Sequence, residues 1–282
     1  VARSTDGFVV HTGDAVHEAD VVVLATGGQS LPKTGSDGAG LAIARRLGHT
    51  IVPTTPALAP LTLEQQSAFG TCVQGVAQDV ELSIWIDDVV AMRLSGALLW
   101  THFGVSGPVV LDGSRHWLRA QLEGRDVRVT LNLLPGEGFE DVDTALTRLA
   151  ASRPRTSLQT ATAELLPSSV ASAALQHLQL DDTTPLARLT RVDRRRLAHA
   201  LVEWPLGVTG SRGYNYAEAT AGGVALEEIN PATMASRRCE GLYLVGEMLD
   251  VDGRIGGFNF QWAWSSARAA ARGIALETDS DG

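Results

Sequence analysis

The stretch from Gly241 to Trp262 constrains this chain more than any other. It reads as a buried strand over residues 242–245, then a tight turn, then the start of a long Ala-rich helix over residues 260–276. The turn carries Gly246, Glu247, Asp250, Asp252, Gly256, Gly257, Phe258 and Asn259. A carboxylate at the C-terminal end of a parallel strand sits where open α/β sheets bind ligands. Glu247 suits the hydroxyls of a ribose or ribityl chain, and Asp250 either does similar work or caps the turn. Gly256 and Gly257 leave bare N–H groups at a helix start, the arrangement that meets electron-rich oxygen. Trp262, Ala263, Ala267, Ala270 and Ala271 give that helix a face that can approach a sheet closely.

A second element of this kind lies near the start. Residues 21–24 are continuously apolar, as in a strand covered on both faces, and end in Ala25, Thr26, Gly27 and Gly28. Glycine there permits a sharp turn or a close ligand approach. Residues 8–12 and 16–25 read as strands, and Asp37 as the start signal of a helix over residues 39–47.

Between these ends the pattern changes twice. Residues 53–60 are rich in Pro and Thr and read as a boundary. Short alternating segments follow at residues 73–76, 80–86, 89–94, 98–100, 118–120 and 127–133, which suggests antiparallel strands in a sheet or small barrel. Residues 139–151, 158–166, 170–180 and 194–202 carry helix-period apolar positions with prolines between them. The expected order is therefore nested. Residues 1–57 and 222–282 form a mixed α/β domain, residues 58–135 and 203–221 an inserted β-barrel, and residues 136–202 a helical insertion.

Other candidate site residues are more isolated. His102, in a compact polar turn, suits an acid, a base or a structural residue. Arg212 and Thr220 lie in two loops that flank the return to the first domain, the usual setting of a substrate pocket, and also of plain crossover loops. Arg191, Arg194, Arg195 and Arg196 read as a solvated helix face.

Bulk properties exclude several classes. The net charge of -9 and pI of about 5.2 argue against nucleic-acid or anionic-membrane partners. No apolar run approaches the roughly 20 residues of a membrane helix. Two cysteines suggest reduced thiols in the cytoplasm, with no disulfide framework and no metal site. No P-loop and no G-x-G-x-x-G after an early strand is present.

Together, the motifs resemble those of the BaiN/aminoacetone oxidase-like bacterial flavoproteins. The matching stretches are residues 25–28 with 34–38, 101–108, 209–213, 220–224, 228–234 and 246–263, in order along the chain. The resemblance implies an FAD/NAD(P)-binding Rossmann-like domain, with an inserted antiparallel β-barrel and a small helical subdomain. It implies FAD near residues 25–28, 246–247 and 257–259, a small organic substrate, and NAD(P)H as a co-substrate. The family's first element, a βαβ with a glycine-rich pyrophosphate loop, has no counterpart here, and the chain starts at Val1 rather than Met. A preceding segment is therefore expected. Two other readings stand beside this one: a non-catalytic fragment or subunit of a flavoprotein, and a fumarate-reductase-type flavoprotein. The latter shares the Ala-Thr-Gly-Gly and Gly-Glu elements but needs an Arg and His set with no evident place here.

Overall fold

The computed structural model of the chain describes residues 1–5, 7–64, 69 and 71–280. They divide into two compact units, Val1–Ala59 with Gly213–Gly282, and Pro60–Arg212.

In the first unit, Val22–Leu24 and Leu242–Leu244 pair in parallel, with Val22 opposite Leu242 and Leu24 opposite Leu244. Leu242, Tyr243 and Leu244 are all buried, as a strand covered on both faces must be. Val23 departs from that expectation, being 45% exposed. The strand expected over residues 16–25 breaks at Asp20. Its first part, Ala15–Ala19, turns instead into an antiparallel sheet with Phe8–Thr12 and Ala2–Arg3. Ile51–Ala57 pairs antiparallel with Ala219–Val224, so residues 219–221 belong to this unit and not to a barrel return.

Two helices complete this unit. Ala39–Arg46 starts where expected, with Asp37 Oδ1 accepting from Ala39 N at 2.9 Å, and buries Leu41 and Ala44. The final helix runs over Phe258–Ser280. The core gathers Phe8, Leu24, Leu41, Leu242, Leu244, Met248 and Ala270.

The second unit is built on a seven-stranded sheet. Its order is Trp204–Leu206, Val127–Asn132, Ala77–Ile86, Val89–Thr101, Gly104–Ser106, Leu61–Leu63 and Val208–Ser211, antiparallel throughout. The two outer strands, Trp204–Leu206 and Val208–Ser211, are consecutive pieces of one stretch separated only by Gly207, and among the described residues no ladder joins them, so a closed barrel is not shown. Residues 118–120, expected as a strand, lie in the helix Pro108–Leu122. Its buried positions Val110, Gly113, Trp117 and Ala120 recur at three- and four-residue spacing, a helical period that overrides the local β pattern. Residues 73–76 are likewise no strand, since Thr71–Val73 is a 3₁₀ turn.

The expected helical segments appear as Phe139–Ser152, Leu158–Ala163, Ser168–His177 and Arg191–Val202. Thr190 caps the last of these. Its Oγ1 accepts from Asp193 N at 3.1 Å while Asp193 Oδ2 accepts from Thr190 Oγ1 at 2.8 Å. A separate core holds Trp100, Trp117, Leu82, Ile84, Leu131 and Leu175. No described helix is long and apolar enough to cross a membrane.

Candidate functional site

The paired strands Val22–Leu24 and Leu242–Leu244 point the same way, so the turns that leave them emerge side by side. Both turns line one cavity of about 530 Å³ within the first unit. Ala25 and Gly27 contribute from the first strand end, Gly246 and Glu247 from the second, and Gly256, Gly257 and Asn259 from the start of the final helix. Thus seven of the residues singled out in the sequence share one wall system. Ala263 and Ala267 of the final helix supply a low apolar surface, and Leu31, Leu58, Ile255 and Phe260 add bulk.

Two carboxylates line the cavity, the exposed Glu218 and the half-buried Glu247. Glu247 Oε1 accepts from Thr220 N at 2.7 Å, and the Thr220 side chain also favours the ionised carboxylate. Burial pushes its carboxyl pKa above the ordinary carboxylate value, and the Thr220 hydrogen bond offsets this only in part. The site therefore holds a half-sheltered carboxylate acceptor. The turn beneath it is tied to the final helix: Gly246 N donates to Ser266 Oγ at 2.9 Å, and Trp262 Nε1 donates to Gly246 O at 3.0 Å.

Thr220 does not act as a free substrate contact. It is 1% exposed, and its Oγ1 accepts from Gln29 N at 2.8 Å and Ser30 N at 3.1 Å. It thereby clamps the loop after residue 28 to the Glu247 turn. Gly28 lies under this clamp rather than in the cavity wall; a Cβ there would fall 2.5 Å from Thr220 Oγ1 and 2.9 Å from Glu247 Oε1. Thr26 faces the helix Ala39–Arg46, where a Cβ at Gly40 would sit 1.7 Å from its Oγ1. Asp250 is absent from the cavity lining and joins its backbone N to Val224 O at 3.0 Å. Asn259 turns its carboxamide to the loop, accepting from Gly253 N at 2.7 Å and donating to Gly253 O at 3.2 Å. Phe258 lies beneath the guanidinium of Arg254, 4.8 Å from the ring centroid.

His102 and Arg212 belong to the other unit. His102 packs edge-on to Phe103 at 5.1 Å, and Arg212 lies over the same Phe103 ring at 4.5 Å.

Leu31, Leu58, Glu218, Arg254, Ile255 and Phe260 line the cavity without having been marked as site candidates by the sequence. Leu31 and Leu58 hold φ of 51° and 52°. Such backbone costs a bulky L-residue about 1–2 kcal/mol and collects at functional walls. Arg254 is the single cation among the lining residues. Its place within an expected turn gave no signal that its side chain faces a cavity.

A second polar cluster in this unit was also missed. Glu228 Oε2 accepts from His49 Nδ1 and Thr50 N, each at 2.9 Å. Its Oε1 accepts from Thr50 Oγ1 at 2.9 Å and from Arg238 Nε and Nη2 at 3.1 and 2.9 Å. Ser236 Oγ accepts from Arg238 N at 3.0 Å and Cys239 N at 2.8 Å, which leaves its own proton to His49 Nε2 at 2.8 Å. The Ser–His–Glu order imitates a nucleophilic triad, but both serine lone pairs are occupied, so the cluster is a structural staple. Among the described residues no His, Cys, Asp and Glu group is placed to hold a metal.

Comparison with known proteins adds the following. The family model described as HI0933-like protein Rossmann domain matches residues 1–273. Curated relatives include a ribosomal RNA dihydrouridine synthase of Escherichia coli, 34% identical over 97% of this chain, and one of Haemophilus influenzae, 32% identical over 96%. A 3-dehydro-bile acid delta(4,6)-reductase of Clostridium scindens is 32% identical over 96%. The chain spans 65%, 64% and 66% of these three relatives' own lengths.

Proposed function

Because this chain belongs to the HI0933-like Rossmann family, that of the BaiN/aminoacetone oxidase-like flavoproteins, we propose that it holds FAD at this cavity and serves as a flavin-dependent oxidoreductase. One observation carries the reading: two parallel strands end side by side, and the turns leaving both line the same cavity. The residues present suit the group. Glu247 offers a carboxylate acceptor to a sugar-alcohol hydroxyl, and the glycines before Phe258 leave room beside first-turn N–H groups. Ala263 and Ala267 leave a flat apolar surface for a ring. When bound, FAD supplies the two-electron chemistry, which no side chain here can provide. The chain's own part is to bind, to orient and to exclude water.

For the substrate we propose a small unsaturated organic compound, handled by a cytoplasmic enzyme. The relatives' names share one chemistry, the addition of hydrogen to an unsaturated framework. Reduction of a carbon–carbon double bond takes up two electrons and two protons, and a nicotinamide donor, NAD(P)H, is the co-reactant we assign. The net charge of -9 supports a small molecule over RNA. The arginines nearest to a basic patch are also engaged: Arg194 pairs with Asp143 at 2.8 Å and Arg196 with Asp193 at 3.0 Å. A second reading, uridine within ribosomal RNA, is favoured by the names of two relatives.

The test is a visible spectrum of the full-length protein after reconstitution with FAD, for the native protein and Glu247→Ala. A flavin spectrum is expected for the former and weakened retention for the latter. A colourless native protein would sink the proposal. Anaerobic incubation with NAD(P)H and either an α,β-unsaturated ketone or ribosomal RNA, read by a two-dalton mass gain, separates the two substrates.

A further inference from the structure

We propose that Arg254 is the substrate-recognition residue of the cavity, and that it selects a flat unsaturated compound bearing an anionic oxygen, a conjugated carboxylate being the simplest case. This rests on the reading of the cavity as the redox site and adds the class of molecule it receives. Arg254 is the one cation among the lining residues, and no carboxylate among the described residues pairs with it. Glu218 and Glu247 line the same cavity, and neither forms an ion pair with Arg254. Its desolvation on ligand binding is best offset by an anionic or strongly polarised oxygen, which a planar guanidinium grips with two donors.

The arginine is also held in place. Asn259 fastens both backbone groups of the neighbouring Gly253 to the helix start, and the Phe258 ring supports the guanidinium at 4.8 Å. Asn259 thus acts as a positioning residue for Arg254 rather than as a ligand contact.

The other walls define the rest of the molecule. Leu31 and Leu58 both hold left-handed backbone and both line the cavity, Leu31 with 48% of its surface exposed. The Leu31 backbone is locked, since its N donates to Tyr214 O at 2.9 Å and its O accepts from Thr34 N at 2.8 Å. A fixed and exposed leucine, with Ile255 and Phe260 on the same cavity, favours a rigid apolar body.

The experiment titrates FAD-loaded full-length protein with trans-cinnamate and with neutral cinnamamide, following the flavin spectrum, for the native protein, Arg254→Gln and Arg254→Lys. Arg254→Gln is expected to weaken cinnamate binding about tenfold, or 1.4 kcal/mol. It should leave cinnamamide affinity and FAD retention within about twofold, and Arg254→Lys should recover part of the loss. Equal cinnamate affinity in native protein and Arg254→Gln overturns the proposal, as does failure of the native protein to bind cinnamate. Loss of FAD in Arg254→Gln would also overturn it, by placing the arginine on the cofactor. If the native protein holds no FAD, the cofactor assignment fails separately. Calorimetric titration of the cofactor-free chain with cinnamate then decides Arg254 by the same tenfold criterion.

Discussion

Replacing Glu228 by Gln removes the hub of a buried polar network in the first unit. Burial pushes this carboxyl up, but hydrogen bonds from Thr50, Arg238 and His49 outweigh it and hold the pKa down to about 2, against an ordinary 4.5. Each oxygen accepts only from donors: Oε2 from His49 Nδ1 and Thr50 N, Oε1 from Thr50 Oγ1 and the Arg238 guanidinium. A glutamine amide NH₂ must therefore face donors in either orientation. Breaking a buried charged pair costs roughly 3–5 kcal/mol. Arg238 is 57% exposed on its side chain and can turn to water, so the lower end, about 3 kcal/mol, is expected. At roughly 2–4 °C per kcal/mol, Tm should fall by about 6–12 °C at neutral pH.

The sign with pH follows from the lowered pKa. The folded state binds the proton less tightly than the unfolded chain. The stabilisation is therefore complete above 4.5 and is lost as pH falls toward about 2. Thermal melts of both proteins at intervals from about pH 7 down to about pH 3 should show the gap narrowing as the carboxyl titrates. A gap under about 1 °C at neutral pH, or one that stays constant down to the lowest pH, would refute the network's assigned weight.

Two further outcomes follow. Glu247 has a raised pKa, so its ionised form costs stability above 4.5 and not below. Glu247→Gln should therefore raise the Tm of the cofactor-free protein at neutral pH while weakening FAD retention, and the stability gain should vanish in acid. Thr220→Val keeps shape but strands the Gln29 and Ser30 N–H groups, at about 1–3 kcal/mol each. Denaturant melts should show the loss, and Thr220→Ser should restore most of it.

Much of the site was legible because its chemistry is local. A strand, a Gly-Glu turn and a Gly-Gly helix start are written in consecutive residues, and Gly246, Glu247, Gly256 and Gly257 do meet in one cavity. The helices over Phe139–Ser152 and Arg191–Val202 were legible for the same reason, since apolar period and proline stops act within a turn or two. The helix Pro108–Leu122 was missed because its apolar face includes Gly113 and Ser114, which hydrophobicity alone does not mark.

Sequence by itself thus determined the strand–turn–helix units and the residue types that could meet a cofactor, since backbone preference and side-chain period depend on near neighbours. Tertiary structure alone decided which of those side chains face the cavity. Thr220 reaches the loop after Gly28 across 191 residues, and His49 reaches Glu228 across 179. Such contacts are set by how strands stack and where loops cross, a geometry to which no local window has access. The same holds for Arg254: its charge is plain in the sequence, but the packing of Phe258 and Asn259 gives that charge its direction.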